Sequence, residues 1–165
     1  MPKKLPKVKD KYGKKVISAI DALNGVEVGM NTIILGGGLV ACETALHLKS
    51  LKKDVKIIIR KGDIVNNLNW VNRTNLIELM QLSKIEIINN TEIIEVGNTL
   101  KLLSNGKVNI LRYDTLIVAI GALPNSEIYD KLSQEVLEIH KIGDCNKPGR
   151  LLNAIWDGYN KARLI

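Results

Sequence analysis

Short apolar runs and longer helical patterns alternate along this chain. Two runs, Thr32–Leu35 and Thr115–Ile120, are apolar at nearly every position, which is typical of strands buried on both faces of a parallel sheet. A third run, Asp54–Arg60, is rich in isoleucine and valine. Apolar residues recur at helical spacing over Leu39–Lys52 and Trp70–Leu82. The alternation predicts an α/β fold with a mainly parallel sheet.

The remaining predicted elements are short. We expect a strand and a short helix around Val16–Leu23, strands at Lys84–Asn89, Thr91–Val96, Leu100–Leu103, Lys107–Leu111 and Val136–His140, and helices at Glu127–Ser133 and Arg150–Leu164. Asn105-Gly106 lies between two of these strands and is a hairpin signal. The pattern predicts a small antiparallel β-meander inserted between two α/β halves.

Helical spacing also predicts which side chains face the core. The candidates are Val40, Ala41, Thr44, Ala45 and Leu48 on the first long helix, and Val71, Leu76, Leu79 and Met80 on the second.

A glycine turn joins the first apolar strand to the first long helix. Gly36, Gly38 and Ala41 follow the spacing G-x-G-x-x-G/A, which lets a backbone turn approach a dinucleotide pyrophosphate at a helix N-terminus. The alternative is a plain glycine turn. The strand–turn–helix context favours a Rossmann-like FAD/NAD(P)-binding fold. The residues expected to cradle the pyrophosphate are Gly36, Gly37, Gly38, Leu39, Val40 and Ala41.

The residues that follow the third apolar run bear on the choice of dinucleotide. NAD sites commonly place an acid there for the ribose 2′-hydroxyl, whereas this chain has Ile59, Arg60 and Lys61. Two cations could pair with a 2′-phosphate. We therefore expect NADP(H) to be preferred over NAD(H), with solvated strand-end charges as the alternative.

Composition limits the other classes of function. The chain has 165 residues, a net charge of +7 and no phenylalanine, so an aliphatic core is expected. Seven lysines fall within Met1–Lys15, which predicts a basic flexible arm or a contact with an acidic partner. Only Tyr12 could stack on a base there, which argues against nucleic acid. No membrane-length apolar run or signal peptide is present, so we expect a cytoplasmic location.

The cysteines and histidines do not predict a metal or redox site. Cys42 and Cys145 are far apart and form no C-x-x-C motif, so they are expected to be reduced structural thiols. His47, expected on the first long helix, and His140, expected at a strand end, have no partners at ligand spacing. We assign no catalytic or metal-binding residue.

Three segments together resemble one enzyme family. They are Ile34–Ala45, Thr115–Asn125 and Ile142–Arg150, supported by Leu68–Arg73 and Ala154–Tyr159. They resemble the pyridine-nucleotide region of the two-dinucleotide-domain flavoprotein reductases. The branch most similar is the 2-enoate reductase/2,4-dienoyl-CoA reductase group. The resemblance covers residues 16–165.

The resemblance implies roles for four further residues. Gly121 would lie near the cofactor, and Glu43 would lie toward the nicotinamide, although a helix acid favoured by the dipole is an equal reading. Gly143 and Asp144 match the second flavin motif, in which the aspartate accepts a hydrogen bond from the FAD ribityl chain. The implied domains are an arm at 1–15, an NAD(P)-binding domain at 16–125 and the returning segment of an incomplete FAD-binding domain at 126–165.

Departures from the family are also visible. The main FAD-binding glycine unit, the FMN barrel with its proton donor and the iron–sulfur cysteines have no counterpart in this sequence. We therefore expect an NAD(P)H-binding module of a flavin-dependent oxidoreductase that is not catalytically complete alone. The alternatives are a non-catalytic nucleotide-binding or assembly subunit, a remnant of a larger reductase, and a basic nucleic-acid-binding protein.

A further expectation concerns the last helix. Its apolar residues would be left exposed without the rest of a flavin domain, so we expect self-association or a partner chain. The residues concerned are Leu151, Leu152, Ile155 and Trp156.

Overall fold

A computed structural model describes residues 1–3, 15–66 and 68–165. Most of the predicted basic arm, residues 4–14, lies outside the described residues. The chain separates into two compact units. We call residues 2–121 the first unit, and Met1 with residues 122–165 the second unit.

The first unit contains eight strands and three helices among its described residues. They are β1 (Lys15–Ser18), α1 (Ala19–Leu23), β2 (Asn31–Leu35), α2 (Leu39–Ser50), β3 (Asp54–Ile58), α3 (Trp70–Leu82), β4 (Glu86–Ile88), β5 (Thr91–Val96), β6 (Thr99–Ser104), β7 (Lys107–Arg112) and β8 (Thr115–Val118). The second unit contains α4 (Glu127–Leu132), a 3₁₀ turn (Gly143–Cys145) and α5 (Leu151–Ala162).

Five parallel strands form the main sheet, in the order β1-β8-β2-β3-β4. Leu35 at the end of β2 is in register with Val118 of β8 on one side and Ile58 of β3 on the other. The carboxyl ends of the three central strands are therefore level, and the segments that follow them emerge at one edge. This is the edge at which open α/β sheets bind ligands.

The predicted meander is confirmed as a separate antiparallel sheet in the order β5-β6-β7. Its second hairpin turns at Asn105 and Gly106, whose φ angles are 50° and 74°. Two consecutive positive φ angles are the geometry that an Asn-Gly hairpin favours.

Alternate side chains of the central strands pack on opposite faces of the main sheet. Ile34, Ile57 and Ile117 pack with the helices, whereas Ile33, Leu35, Ile58 and Leu116 pack with Leu100, Leu102 and Tyr113 on the meander side. Among the described residues, the buried hydrophobic side chains are almost all aliphatic, and Tyr113 is the aromatic exception. Its hydroxyl donates to the Gly97 carbonyl at 2.7 Å.

The helix faces correct part of the sequence prediction. In α2 the buried residues include Cys42, and Val40 is 50% exposed although Ala41 beside it is fully buried. In α3, Leu76 and Met80 are buried, whereas Val71 and Leu79 are exposed. The helix packs through a narrower stripe than its apolar sequence suggests.

Residues 136–140 were expected to form a strand, and this prediction is wrong. The segment consists of bends and coil after α4, and Leu137 is fully exposed. It has no strand partner in the described part of the chain, so His140 does not lie at a strand end. Its Nε2 lies 3.0 Å from Oε1 of Glu138.

The last helix, α5, is amphipathic as expected. Leu151, Leu152, Ile155 and Trp156 are between 54% and 78% exposed, which confirms the predicted exposure. The rings of Trp156 and Tyr159 meet edge to face with centroids 5.6 Å apart. Within the described residues, no helix is both long enough and apolar enough to span a lipid bilayer.

Candidate nucleotide-binding site

Gly36 begins the turn between β2 and α2, at the level edge of the sheet. Its φ angle is +123°, and a Cβ there would lie 2.3 Å from the carbonyl oxygen of Ala119, which follows β8. Its N–H donates to the Ile58 carbonyl at 3.0 Å. The turn is therefore fixed between two neighbouring strands in a conformation that only glycine tolerates.

Gly37 and Gly38, the next two glycines, differ in the space around them. A Cβ on Gly37 would lie 3.0 Å from Cδ1 of Ile59, so this residue packs against the end of β3. Gly38 is the N-cap of α2, with no side chain to satisfy the helix terminus and open space where its Cβ would be. The first-turn N–H groups of a helix have no intrahelical acceptor, so this opening suits an anion.

The remaining motif residues lie in the first turn of α2. Ala41 is fully buried, which brings the helix close to the sheet. Leu39 and Val40 are 38% and 50% exposed beside the glycine turn. Their side chains can cover a bound molecule, while their backbone N–H groups remain at the helix terminus.

Two cations follow the end of β3 at the same edge. Ile59 is buried, and its N–H donates to the Ile88 carbonyl at 2.9 Å, so the backbone is held by the sheet up to this point. Arg60 and Lys61 are exposed, and neither forms an ion pair with any residue in the described ranges. Both are available to an anionic group.

Gly121 follows β8 and has a φ angle of +104°. Its carbonyl accepts the N–H of Lys3 at 2.9 Å, and the Lys3 ammonium lies 3.8 Å from the position of a Gly121 Cβ. The structure thus places an additional cation beside a predicted site residue. The sequence reasoning missed Lys3 because it is one of seven lysines in a segment with no motif.

Glu43 is an exposed residue of α2, whereas its neighbour in the helix, Cys42, is buried. Burial, followed by the charge of Glu43, raises the pKa of the Cys42 thiol to about 11. Cys42 and Cys145 are both free. The thiol of Cys42 is thus protonated at neutral pH and is not poised for disulfide chemistry.

Gly143 and Asp144 lie in the 3₁₀ turn of the second unit. The N–H of Gly143 donates to Asp157 at 3.0 Å, which ties the turn to α5. Oδ1 of Asp144 accepts the N–H of Gly149 at 3.1 Å, and the carboxylate is exposed. A groove of about 350 Å³ lies nearby, and its lining includes Gly143, Gly149, Asn153 and Trp156.

Comparison with known proteins assigns the chain to a family. Residues 1–156 match the family described as pyridine nucleotide-disulphide oxidoreductase, and the chain belongs to this family. The family uses FAD and a nicotinamide dinucleotide. The Rossmann-like fold and the resemblance to flavoprotein reductases are thereby confirmed.

Named relatives are larger enzymes. A cinnamate reductase of Clostridium sporogenes is 36% identical over 92% of this chain, and an NADH oxidase of Thermoanaerobacter brockii is 27% identical over 95%. The 2-naphthoyl-CoA reductase structure aligns over the whole chain at 25% identity, with a TM-score of 0.89. The chain spans about a quarter of each, between 24% and 26% of their length.

The residues present fit a dinucleotide pyrophosphate. Gly36 could not carry a side chain, and Gly38 leaves open the space into which the α2 terminus points. The other candidate residues all belong to the same unit, and each either follows one of its central strands or begins α2. They are Gly37, Leu39, Val40, Ala41, Arg60, Lys61 and Gly121.

Proposed function

We propose that this chain binds a nicotinamide dinucleotide at the carboxyl edge of β8, β2 and β3, and that it belongs to a flavin-dependent oxidoreductase. The observation that carries the proposal is the glycine turn. Gly36 is excluded from bearing a side chain by Ala119, and Gly38 opens the N-terminus of a twelve-residue helix. Nicotinamide supplies a hydride to an acceptor such as a flavin.

The chain's own residues would bind and orient the dinucleotide. The backbone N–H groups of Leu39, Val40 and Ala41 would donate to the pyrophosphate, with the helix dipole adding positive potential. Gly121 would allow close approach on the β8 side, where the Lys3 ammonium also lies. Glu43, one turn into α2, would face the nicotinamide half.

We further propose that NADP(H) is preferred. Arg60 and Lys61 occupy the strand end at which an acid would hold the 2′-hydroxyl of NAD(H). Both are exposed and have no acidic partner in the described part of the chain. Paired with a 2′-phosphate, they would make the charge-assisted hydrogen bonds that distinguish it from a hydroxyl.

The second unit is proposed to meet a flavin. Asp144 keeps one carboxylate oxygen that accepts no hydrogen bond from the described residues, which suits a ribityl hydroxyl. The apolar side of α5 would pack on a flavin-binding domain. The hydride-transfer role is proposed for that assembly.

The first test is a calorimetric titration of the purified chain with NADPH and NADH, with and without FAD. Binding of NADPH more tightly than NADH supports both the proposed site and the preference for NADP(H). If FAD makes NADPH bind still more tightly, the result supports a reductase module. Binding without diaphorase turnover in the presence of FAD supports the alternative, a non-catalytic nucleotide-binding subunit. Failure to bind either dinucleotide would overturn the proposal.

A further inference from the structure

The segment that carries Arg60 and Lys61 is held at both ends, and a salt bridge holds its middle. We call residues 60–66 the strap. Before it, Ile59 is hydrogen-bonded to Ile88 and Thr91 in the sheet. Near its end, Val65 is buried and donates its N–H to the Gly37 carbonyl at 2.7 Å. The strap therefore connects the two cations to the glycine turn.

Arg73 holds the middle of the strap from α3. One terminal nitrogen of its guanidinium contacts Oδ2 of Asp63 at 2.5 Å, and its Nε donates to the Ile64 carbonyl at 3.2 Å. The other oxygen of Asp63 accepts the N–H of Ile64 at 2.9 Å. The guanidinium thus spans a carboxylate and a carbonyl in adjacent residues.

One peptide group links this clamp to the glycine turn. Its oxygen is the Ile64 carbonyl, which accepts from Arg73, and its nitrogen is that of Val65, which donates to Gly37. Val65 has a φ angle of +46°, an unfavourable conformation for a β-branched residue. Such a conformation persists only where surrounding contacts enforce it, and here contacts act on both sides of the peptide.

We propose that Arg73 is a positioning residue for cofactor choice: by clamping Asp63 and Ile64 it sets the strap so that Arg60 and Lys61 reach a 2′-phosphate. This inference rests on the proposed function. Arg73 acts through the strap rather than on the phosphate, since two of its nitrogens are engaged within it. The glycine turn itself is also held by Ile58, so the clamp matters more for the 2′-phosphate than for the pyrophosphate.

The test compares dissociation constants for NADPH and NADH in Arg73→Gln, Asp63→Asn and a matched control, Arg112→Gln. Arg112 lies on β7 in the meander, so its replacement removes the same charge elsewhere in the unit. We expect the ratio of the NADH to the NADPH constant to fall by roughly 3- to 10-fold in the two clamp variants and to stay unchanged in the control. Equal weakening of both dinucleotides would show a merely structural role and overturn the inference.

A double-mutant cycle distinguishes a positioning role of Arg73 from direct contact between Arg73 and the 2′-phosphate. In an Arg60→Ala/Lys61→Ala background, Arg73→Gln should change the ratio no further. A further fall would place Arg73 on the phosphate and contradict the proposal. The fragment 2′-AMP, compared with 5′-AMP, serves as a probe of the phosphate end alone.

Hydrogen exchange tests the clamp independently of any dinucleotide. The amides of Ile64 and Val65 should exchange faster in Arg73→Gln, while that of Gly36 should not change. If the wild type binds neither dinucleotide, the proposed function fails, yet this exchange pattern still decides whether the clamp exists. Unchanged exchange at Ile64 and Val65 would overturn it. Thermal unfolding by circular dichroism confirms that each variant is folded.

Discussion

The carbonyl oxygen of Ala119 lies 2.3 Å from the point that a Cβ on Gly36 would occupy, so the end of one strand excludes a side chain from the turn after its neighbour. The contact joins the two central strands at the edge where the nucleotide site is proposed. A substitution at Gly36 would therefore change both the stability of the fold and the binding of a dinucleotide. Substitutions at other positions are needed to measure the two effects separately.

Gly36→Ala should destabilise the fold by about 2 kcal/mol or more, because the new methyl group meets backbone and φ is +123°. Urea unfolding measures the change. Gly106→Ala is the control, since its φ is +74° but no atom lies within 4 Å of the new Cβ. The control should cost about 1 kcal/mol from conformation alone. Equal losses in the two variants would argue against the contact with Ala119.

Gly38→Asp should separate binding from stability. The extended backbone of Gly38 accepts any residue, and aspartate is a favourable N-cap, so the unfolding midpoint should stay level or rise. Binding of NADPH and NADH should weaken by tenfold or more because a carboxylate would occupy the phosphate position, about 1.4 kcal/mol at least. Gly38→Ser, which caps without charge, should weaken binding less. Undiminished binding in Gly38→Asp would place the pyrophosphate elsewhere.

Replacing Arg60 and Lys61 with alanine should raise the NADPH dissociation constant by about tenfold or more and leave that of NADH nearly unchanged. Both side chains are exposed, so the fold should be unaffected. Titrations at two salt concentrations provide a second measurement, because the loss should shrink as salt screens the phosphate. A parallel loss for both dinucleotides would contradict the assignment of the 2′-phosphate.

The buried thiol of Cys42 predicts a pH dependence. Its pKa is raised from 9.0 to about 11 in the folded chain, so the unfolded chain loses the proton first as pH rises. Stability from this group is complete below pH 9 and declines toward pH 11. Urea midpoints between pH 7.5 and 10.5 should fall more steeply in the wild type than in Cys42→Ala. Identical slopes would mean that Cys42 is not buried in solution.

The exposed apolar residues of α5 predict that the chain associates with itself. Sedimentation velocity should show the wild type forming dimers or larger species at high concentration, because large apolar patches favour contact. Ile155→Glu should shift the distribution to monomer, whereas Ile94→Glu on β5, which is similarly exposed, should not. A wild type that remains monomeric at high concentration would remove the need for a partner at this face.

Local patterns predicted the glycine turn, α3 and the meander well. The motif of Gly36, Gly38 and Ala41 and the hairpin turn at Asn105-Gly106 are each formed by residues that are close together in the sequence. Both could therefore be predicted without knowledge of distant contacts. Strand ends were less accurate: the run at Thr115–Ile120 forms a strand only to Val118, because the chain leaves the sheet beside Gly36.

Contacts between distant segments could not be predicted from the sequence. Lys3 lies beside Gly121 through a pairing more than a hundred residues apart, and the Asp63–Arg73 salt bridge depends on where α3 packs. Val40 was expected to face the core, yet it is 50% exposed, whereas Ala41 and Cys42 beside it are fully buried. Periodicity predicts the approximate face of a helix, but the exact edge of the buried stripe depends on the packing of distant segments.

The chain's two tryptophans, Trp70 in α3 and Trp156 in α5, are 78% and 54% exposed. Their fluorescence in the folded chain should therefore resemble that of tryptophan in water and shift little on unfolding, so far-ultraviolet circular dichroism is the better measure of stability. Trp70 precedes Arg73 by one helical turn. In a Trp156→Tyr variant, Trp70 becomes the single tryptophan of the sequence, so any emission change as dinucleotide is added is assigned to the N-terminus of α3.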